Sequence, residues 1–260
     1  MATASTVQAP RGVLHTRGNW SARDDRVPSA VWLAILWFGM IAGFGTDIPQ
    51  VLKFVPPPPR IIWVHGAVFT MWMVLLTVQV LFVLRDRVAW HRAFGWFVAG
   101  WAALMAVMGP WVAVAVQVAT LNTKFEDTSF LALNLADLVG FLALLAWGIT
   151  LRRNPAAHRR MMILCTVALA DPGFARFIAW LWPINPPSPF LWFLYTFYGN
   201  ILLIILMAAW DWWRGRLLRS FAIGAAALVA SEVLCAFLYY WPPWKTATVE
   251  FVRFCAKHSA

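Results

Sequence analysis

The stretch at 61–84, IIWVHGAVFTMWMVLLTVQVLFVL, contains no Asp, Glu, Lys or Arg along its whole length, and the charged residues Arg85-Asp86-Arg87 follow it directly. A transmembrane α-helix needs about 20 consecutive, mainly apolar residues. This stretch meets that requirement and ends at charges that favour water. It therefore predicts a helix that crosses a membrane.

Six further runs of similar length and composition are present, at 30–47, 92–118, 129–151, 161–182, 189–211 and 220–241. The 260 residues are 62% hydrophobic and 12% charged, whereas soluble domains carry about twice that charged fraction. The sequence predicts an all-α integral membrane bundle of seven transmembrane helices at 30–241, between a polar segment at 1–29 and a tail at 242–260. For the tail, an amphipathic surface helix and a frayed terminus stay open.

Lys and Arg residues cluster in alternate connectors between these runs. With the N-terminus inside, the inside segments hold fourteen of them and the outside segments six, and Arg176 lies within a span. Cytoplasmic loops carry an excess of Lys and Arg. The pattern predicts a cytoplasmic N-terminus, an outside C-terminus and a cell inner membrane location. The net charge of +10 is thereby explained by topology and lipid headgroups, and not by nucleic-acid binding.

One set of motifs, covering a little under half the chain, resembles a family of uncharacterised bacterial integral membrane proteins. Its residues are His65, Phe69, Trp72 and Gln79, then His91-Arg92-Ala93-Phe94-Gly95, then Asp137, and finally His158-Arg159-Arg160-Met161-Met162-Ile163-Leu164 and Arg176. The resemblance implies a polytopic membrane fold and singles out these residues. It implies no particular reaction.

Five Asp, Glu, Arg or His side chains lie within predicted spans away from the span ends, all in the half nearer the outside: His65, Asp137, Asp171, Arg176 and Glu232. Such groups cost about 2.5–3.5 kcal/mol at bilayer depth, so they face protein or water and usually have a partner. Their common depth predicts a site that binds or transports a small molecule, an ion or a proton. The predicted site residues are His65, Asp137, Asp171 and Arg176, with Asn134 and Trp72 beside them.

Other interpretations of the same residues stay open. Tyr195, Tyr198 and Asn200 in the sixth span have matching depth and could extend the site, and polar residues also serve as simple contacts between helices. Asp171-Pro172-Gly173 is expected either to break the fifth span or to kink it, with Arg176 as the counter-ion of Asp171 or Asp137. His65 with both aspartates could also hold a divalent metal.

Two alternative functions are compatible with the sequence. His91 and His158 share one depth near the inside, and facing histidines of this kind can ligate a haem b in a membrane redox protein. A structural or assembly subunit, in a homo-oligomer or a membrane complex, would use the small residues Gly95, Ala99 and Ala103 for close helix contact. The absence of a serine nucleophile elbow, a phosphate loop and an HExxH motif favours a protein that is not an enzyme.

Overall fold

The computed structural model describes Gly12, Leu14, 22–54, 57–184, Pro186 and 188–258, with Ala22 and Arg23 described by their backbone alone. Within those residues the fold is helical and has no strand. The α-helices are α1 (Arg26–Val51), α2 (Arg60–Leu84), α3 (Val88–Thr120), α4 (Leu131–Thr150), α5 (Pro155–Leu181), α6 (Pro189–Trp213), α7 (Arg219–Tyr240) and α8 (Pro242–His258). Seven of them, α1 to α7, are long and apolar enough to cross a membrane, which confirms the predicted multi-pass helical bundle.

Several helices are longer than the apolar runs that predicted them, and the extensions of α5 and α1 bear on the polar sites. Helix α5 begins at Pro155 and not near 161, because the side chain of Asn154 accepts a hydrogen bond of 3.3 Å from the amide of Ala157 and caps the helix. Proline at the first helical position suits such a start. Helix α1 continues past its apolar run to Val51, so Asp47 lies within its last turns.

Helix α5 is continuous from Pro155 to Leu181, with Pro172 inside it. Of the two alternatives for Asp171-Pro172-Gly173, a break or a kink, the break is therefore wrong. Proline removes one helical donor, and the loss is local. The lost donor is the one that would have bonded the carbonyl of Ala168, one turn earlier in the helix. The guanidinium of Arg176 donates to the carbonyl of Pro172 at 2.9 Å. The third span is likewise continuous through Pro110.

Helix α5 lies at the centre of the bundle and is the most buried of the seven long helices. It packs against α1, α4, α6 and α7, while the α2–α3 hairpin packs against α1 and α4. We call the end with connectors 85–87, 151–154 and 214–218 the arginine-rich end. The end with connectors 52–59, 121–130 and 182–188 is the proline-rich end. Backbone bonds of Gly12 and Leu14 to Arg219 and Leu217 place that part of the N-terminal segment at the arginine-rich end.

Glycines allow α5 to approach its neighbours closely. A methyl group at Gly43 of α1 would collide with the carbonyl of Gly173 in α5. The ring of Phe174 packs where side chains would stand at Gly39 of α1 and at Gly199 of α6, so it fits between these two helices. Small residues of this kind allow membrane helices to pack through their backbones. These glycines make close helix contacts in the described part of the fold. The use of Gly95, Ala99 and Ala103 between subunits stays a prediction.

A buried ionic network ties the helices together at the arginine-rich end. The guanidinium of Arg160 in α5 donates to both carboxyl oxygens of Asp211 in α6, at 2.5 and 2.7 Å, and to Asp25 before α1 at 2.8 Å. Arg216 donates to the other oxygen of Asp25 at 2.7 Å. All four residues are at most 6% exposed. Arg160 and Arg216 therefore neutralise acidic side chains, where the sequence predicted arginines free to meet lipid headgroups.

The C-terminal residues form an amphipathic helix, as one of the two predicted alternatives had it. Helix α8 packs against α3, α7 and the short 3-10 helix Thr128–Phe130 at the proline-rich end. Thr248 and Val252 face the protein, while Phe251 and Phe254 are exposed. The hydroxyl groups of Thr248 and Thr128 lie 3.1 Å apart and hold α8 to this connector.

Candidate functional site

The apolar core is divided into two clusters along α4, α6 and α7. The larger cluster includes Leu138, Phe141 and Leu228, and the smaller one, toward the proline-rich end, includes Leu133, Phe197 and Cys235. The polar residues of these helices fall in the sequence gaps between the two clusters. We use the name carboxyl layer for Asp137 of α4, Asp171 of α5 and Glu232 of α7, with the amide of Asn200 of α6 beside them.

A close helix contact shows that the three acidic residues have one depth. A side chain at Gly140 of α4 would begin 3.4 Å from Leu228 of α7, 3.7 Å from Ala168 of α5 and 3.9 Å from the hydroxyl of Ser231. One helical turn from this contact, toward the proline-rich end, α4 carries Asp137, α5 carries Asp171 and α7 carries Glu232, since α4 runs opposite to the other two. The acidic residues therefore form a single layer.

The carboxyl layer is buried and poorly hydrogen-bonded. The three carboxyl groups lie close enough for their charges to interact. Asp171 is 0% exposed, and neither of its carboxyl oxygens has a hydrogen-bond partner among the described residues. Glu232, 2% exposed, accepts a bond of 2.8 Å from the side-chain nitrogen of Asn200, while its second oxygen and the oxygen of Asn200 have no described partner. Asp137 is partly buried.

Such a layer cannot hold three negative charges without compensation. Like charges in a region of low dielectric repel each other, and an unpaired buried carboxylate loses its hydration. Buried ionisable groups in membrane spans are accordingly paired, protonated or part of an ion pathway. The geometry therefore suits groups that take up protons or a bound cation.

Arg176 does not pair with the carboxyl layer, so its predicted role as the counter-ion of Asp171 or Asp137 is wrong. Its guanidinium donates to Asp47 of α1 at 2.8 Å and lies 4.9 Å from the ring centre of Phe44. Asp47 was not a candidate because the apolar run of the first span ends there. The helical extension of α1 brings it beside Arg176. The charge of Arg176 still acts on Asp171 and on His65.

The other predicted site residues lie around the layer without contacting it through described hydrogen bonds. His65 is partly buried against Phe69, with ring centres 4.1 Å apart, and its Nδ1 has no partner among the residues described. Asn134 lies one turn from Asp137 toward the proline-rich end. Trp72 is in the main core on the arginine-rich side, where its indole donates to the hydroxyl of Thr166 at 3.2 Å.

Tyr195 and Tyr198 do not join the layer. Each of their hydroxyl groups donates to a backbone carbonyl, of Trp182 at 2.6 Å and of Phe174 at 3.0 Å. Asn200 does join it, through Glu232. Glu232 and Asn200 are thus the two residues that the predicted site lacked, and their common depth with Asp137 and Asp171 was the only signal for them.

The described residues provide no metal centre of the usual kind. No three His, Cys, Asp or Glu side chains among them are placed so that they could hold one ion. The combination of His65 with Asp137 and Asp171, predicted as a set of metal ligands, is not such a group. The carboxyl layer is a set of interacting groups and not a coordination cage.

The two histidines predicted at a common depth do face each other at the arginine-rich end. The ring centres of His91 in α3 and His158 in α5 are 6.2 Å apart, and the ring planes make an angle of 74°. The common depth of the two histidines in the sequence thus predicted a pair that the fold brings together from separate helices.

A scan against family models gives no match, and neither the search of curated proteins nor that of solved structures finds a similar chain. The resemblance to a family of bacterial membrane proteins therefore stays a prediction.

Proposed function

We propose that this protein takes up protons at the carboxyl layer and transfers them across the membrane. The observation that carries this proposal is the pair of unpartnered oxygens of Asp171, fully buried beside Asp137 and Glu232. Chains of Asp and Glu inside membrane spans serve as proton relays in pumps and transporters.

A proton fits the layer better than a metal ion does. Metal ions need several ligands converging on one point, and the described carboxyl groups do not converge in that way. A proton needs one oxygen and a neighbour to pass to. Asp171 supplies such an oxygen, and Asp137 and Glu232 supply neighbours within electrostatic range.

Access to the layer is proposed from the proline-rich end. The ion pair of Arg176 with Asp47 stands there, and the two side chains are 40% and 33% exposed. Its cation acts on Asp171 and lies one turn along α5 from it. Toward the other end the main apolar core follows directly, with Phe141, Ala168 and Leu228. On the proline-rich side the smaller apolar cluster, with Leu133, Phe197 and Cys235, covers the layer. Because this cluster is the smaller of the two, we place the access route on that side.

Orientation is part of the same proposal. The arginine-rich end faces the cytoplasm and the protein lies in a cell inner membrane, because connectors rich in Lys and Arg favour the cytoplasmic side. The proline-rich end, with α8 along its surface, then faces outward. Protons would enter the carboxyl layer from the outside face.

Proton flux in proteoliposomes tests the proposed function. We expect the purified protein to dissipate a pH gradient, measured with an enclosed pH-sensitive dye, when potassium and valinomycin balance the charge. Asp171→Asn should lower this flux by about tenfold, because an amide cannot exchange a proton as a carboxylic acid does. Its stability should change by no more than about 1 kcal/mol, since the amide has nearly the same shape.

Asp127→Asn is the matched control. Asp127 accepts a hydrogen bond of 2.6 Å from the hydroxyl of Tyr239, at the proline-rich end and away from the layer. This variant should conduct as the wild type does. Wild-type vesicles no leakier than empty ones would contradict the proposal, and so would an Asp171→Asn variant with undiminished flux.

A further inference from the structure

Helix α8 follows α7 almost directly in the chain. Only Trp241 lies between Tyr240, the last residue of α7, and Pro242, the first residue of α8. Proline has no amide hydrogen with which to continue α7, and it suits the first position of a new helix. The carbonyl of Trp241 accepts from the amides of Trp244 and Lys245 at 3.0 and 3.2 Å. The chain therefore turns at once, and α8 begins beside the outer turns of α7 at the proline-rich end.

One face of α8 is directed toward the protein. Trp244, Thr248 and Val252 follow each other at intervals of four residues, so they lie on the same face of the helix. Thr248 and Val252 are buried, and Trp244 is partly buried. The indole of Trp244 donates to the carbonyl of Ser129 at 3.2 Å. This bond, with the contact of Thr248 and Thr128, holds α8 on the connector that leads into α4.

The opposite face of α8 is charged. Glu250, Arg253 and Lys257 are exposed, and helical spacing puts them on the side away from Thr248 and Val252. Helix α8 is not among the seven helices long and apolar enough to cross a membrane. Charged side chains of this kind favour water and lipid headgroups over lipid tails. A single helix therefore separates the aqueous side of the proline-rich end from the residues that its inner face contacts.

Trp244 also packs against the smaller apolar cluster, which covers the carboxyl layer. Three members of this cluster each stand three or four residues from a residue of the layer on the same helix. The pairs are Leu133 with Asp137 in α4, Phe197 with Asn200 in α6 and Cys235 with Glu232 in α7. With a rise of 1.5 Å per residue, the cluster is about 5 Å thick. One apolar turn thus separates Trp244 from the carboxyl layer.

We propose that Trp244 of α8 seals the access route to the carboxyl layer at the proline-rich end. This inference rests on the proposed function, since it names the residue that covers the route proposed there. The cluster residues beneath Trp244 belong to spanning helices, and their packing holds the bundle together. Trp244 comes from a helix that does not span, so removal of its indole opens the route and leaves every spanning helix intact.

Thiol labelling of Cys235 tests the seal independently of proton transfer. Cys235 is 1% exposed and belongs to the cluster beneath Trp244. The full chain, with Cys255→Ser, is treated in detergent with the charged reagent methanethiosulfonate ethylsulfonate, and mass spectrometry follows the modification. We expect Trp244→Ala to raise the labelling rate of Cys235 about tenfold, because a thiol reacts only when the reagent reaches it. Trp244→Phe keeps an aromatic ring in place and should label nearly as slowly as the parent protein.

Trp241→Ala is the matched control. It removes the same indole three residues earlier, from a side chain that is 43% exposed and stacks on Phe237, so Cys235 should stay protected. Cys165, 0% exposed in the larger apolar cluster, reports unfolding and should stay unlabelled in every variant. Trp244→Leu removes less volume than Trp244→Ala and provides the comparison should Cys165 react in the alanine variant.

Proton flux in the same variants separates the seal from the proposed function. We expect Trp244→Ala to conduct about threefold faster than the wild type, because the closed route limits entry, and Asp171→Asn to abolish this increase. Faster labelling without any wild-type flux would support the seal and overturn the proposed proton transfer. Equal labelling of Cys235 in Trp244→Ala, Trp244→Leu and the parent protein would overturn the inference. A gain in flux that persists when Asp171→Asn is added would also overturn it.

Discussion

Replacing Gly43 by alanine is expected to destabilise the protein by about 3 kcal/mol, at the upper end of the usual cost of overpacking. The new methyl group would collide with the carbonyl of Gly173. A backbone atom cannot rotate away as a side chain can, so α1 has to separate from α5. Thermal unfolding in detergent, followed by the fluorescence of a thiol-reactive dye or by light scattering, measures this loss.

Gly45→Ala is the control for this prediction, because it makes the same chemical change on the same helix. No atom lies within 4 Å of the position that its methyl group would take. Alanine also favours a helix over glycine by about 1 kcal/mol. Gly45→Ala should therefore be neutral or slightly stabilising. Equal melting temperatures for Gly43→Ala and Gly45→Ala would refute the proposed contact of α1 with α5.

Arg160→Met is expected to cost about 3–5 kcal/mol, since removing one partner of a buried ion pair leaves uncompensated charge. Asp211 would lose both of its bonds to this arginine, and Asp25 would lose its bond to Arg160 while its bond to Arg216 remains. Methionine preserves most of the apolar volume of the side chain. The free energy of unfolding, measured with denaturant in mixed micelles, should fall accordingly.

A double variant separates charge from packing in the same network. Arg160→Met with Asp211→Leu removes one positive and one negative charge, so the remaining pair of Asp25 and Arg216 stays balanced. We expect the double variant to recover much of the stability lost by Arg160→Met. Arg152→Met, at an exposed arginine whose described hydrogen bond goes to the backbone carbonyl of Ile149, should change little. A single variant no less stable than Arg152→Met would show that the network contributes nothing.

Much of the fold could be predicted from local composition. The apolar runs predicted seven long helices because a bilayer imposes the same length on every span. Helix ends were less accessible, since they depend on single groups. The side chain of Asn154, which starts α5 early, is one such group. Helix α1 likewise continues past the end of its apolar run, so that Asp47 lies inside the helix.

The carboxyl layer could be predicted in part. Asp137 and Asp171 stood out because a charge inside an apolar run is costly wherever it points. Partner choice could not be predicted in the same way. Arg176 bonds Asp47 and not Asp171 because of the orientation of α1 relative to α5. The sequence of a single helix does not determine how a neighbouring helix is oriented about its own axis. The same applies to the bond between Asn200 and Glu232.

The contact glycines illustrate the remaining limit. Gly39 and Gly43 have the spacing of a helix-packing motif, yet other glycines of the same chain, such as Gly45 and Gly66, face open space. Only the packed bundle distinguishes them. The His91–His158 pair is the opposite case. Their equal depth at two similar helix starts was sufficient to predict that the two rings lie close together.

Infrared spectroscopy of the carboxyl layer tests the central claim most directly. An uncharged carboxylic acid in an apolar site gives a carbonyl-stretching band that shifts in heavy water and changes in height with pH. We expect such a band in the wild-type protein in membranes, weakened in Asp171→Asn and in Glu232→Gln and unchanged in Asp127→Asn. Identical carboxyl spectra for wild type and Asp171→Asn at every pH would contradict it.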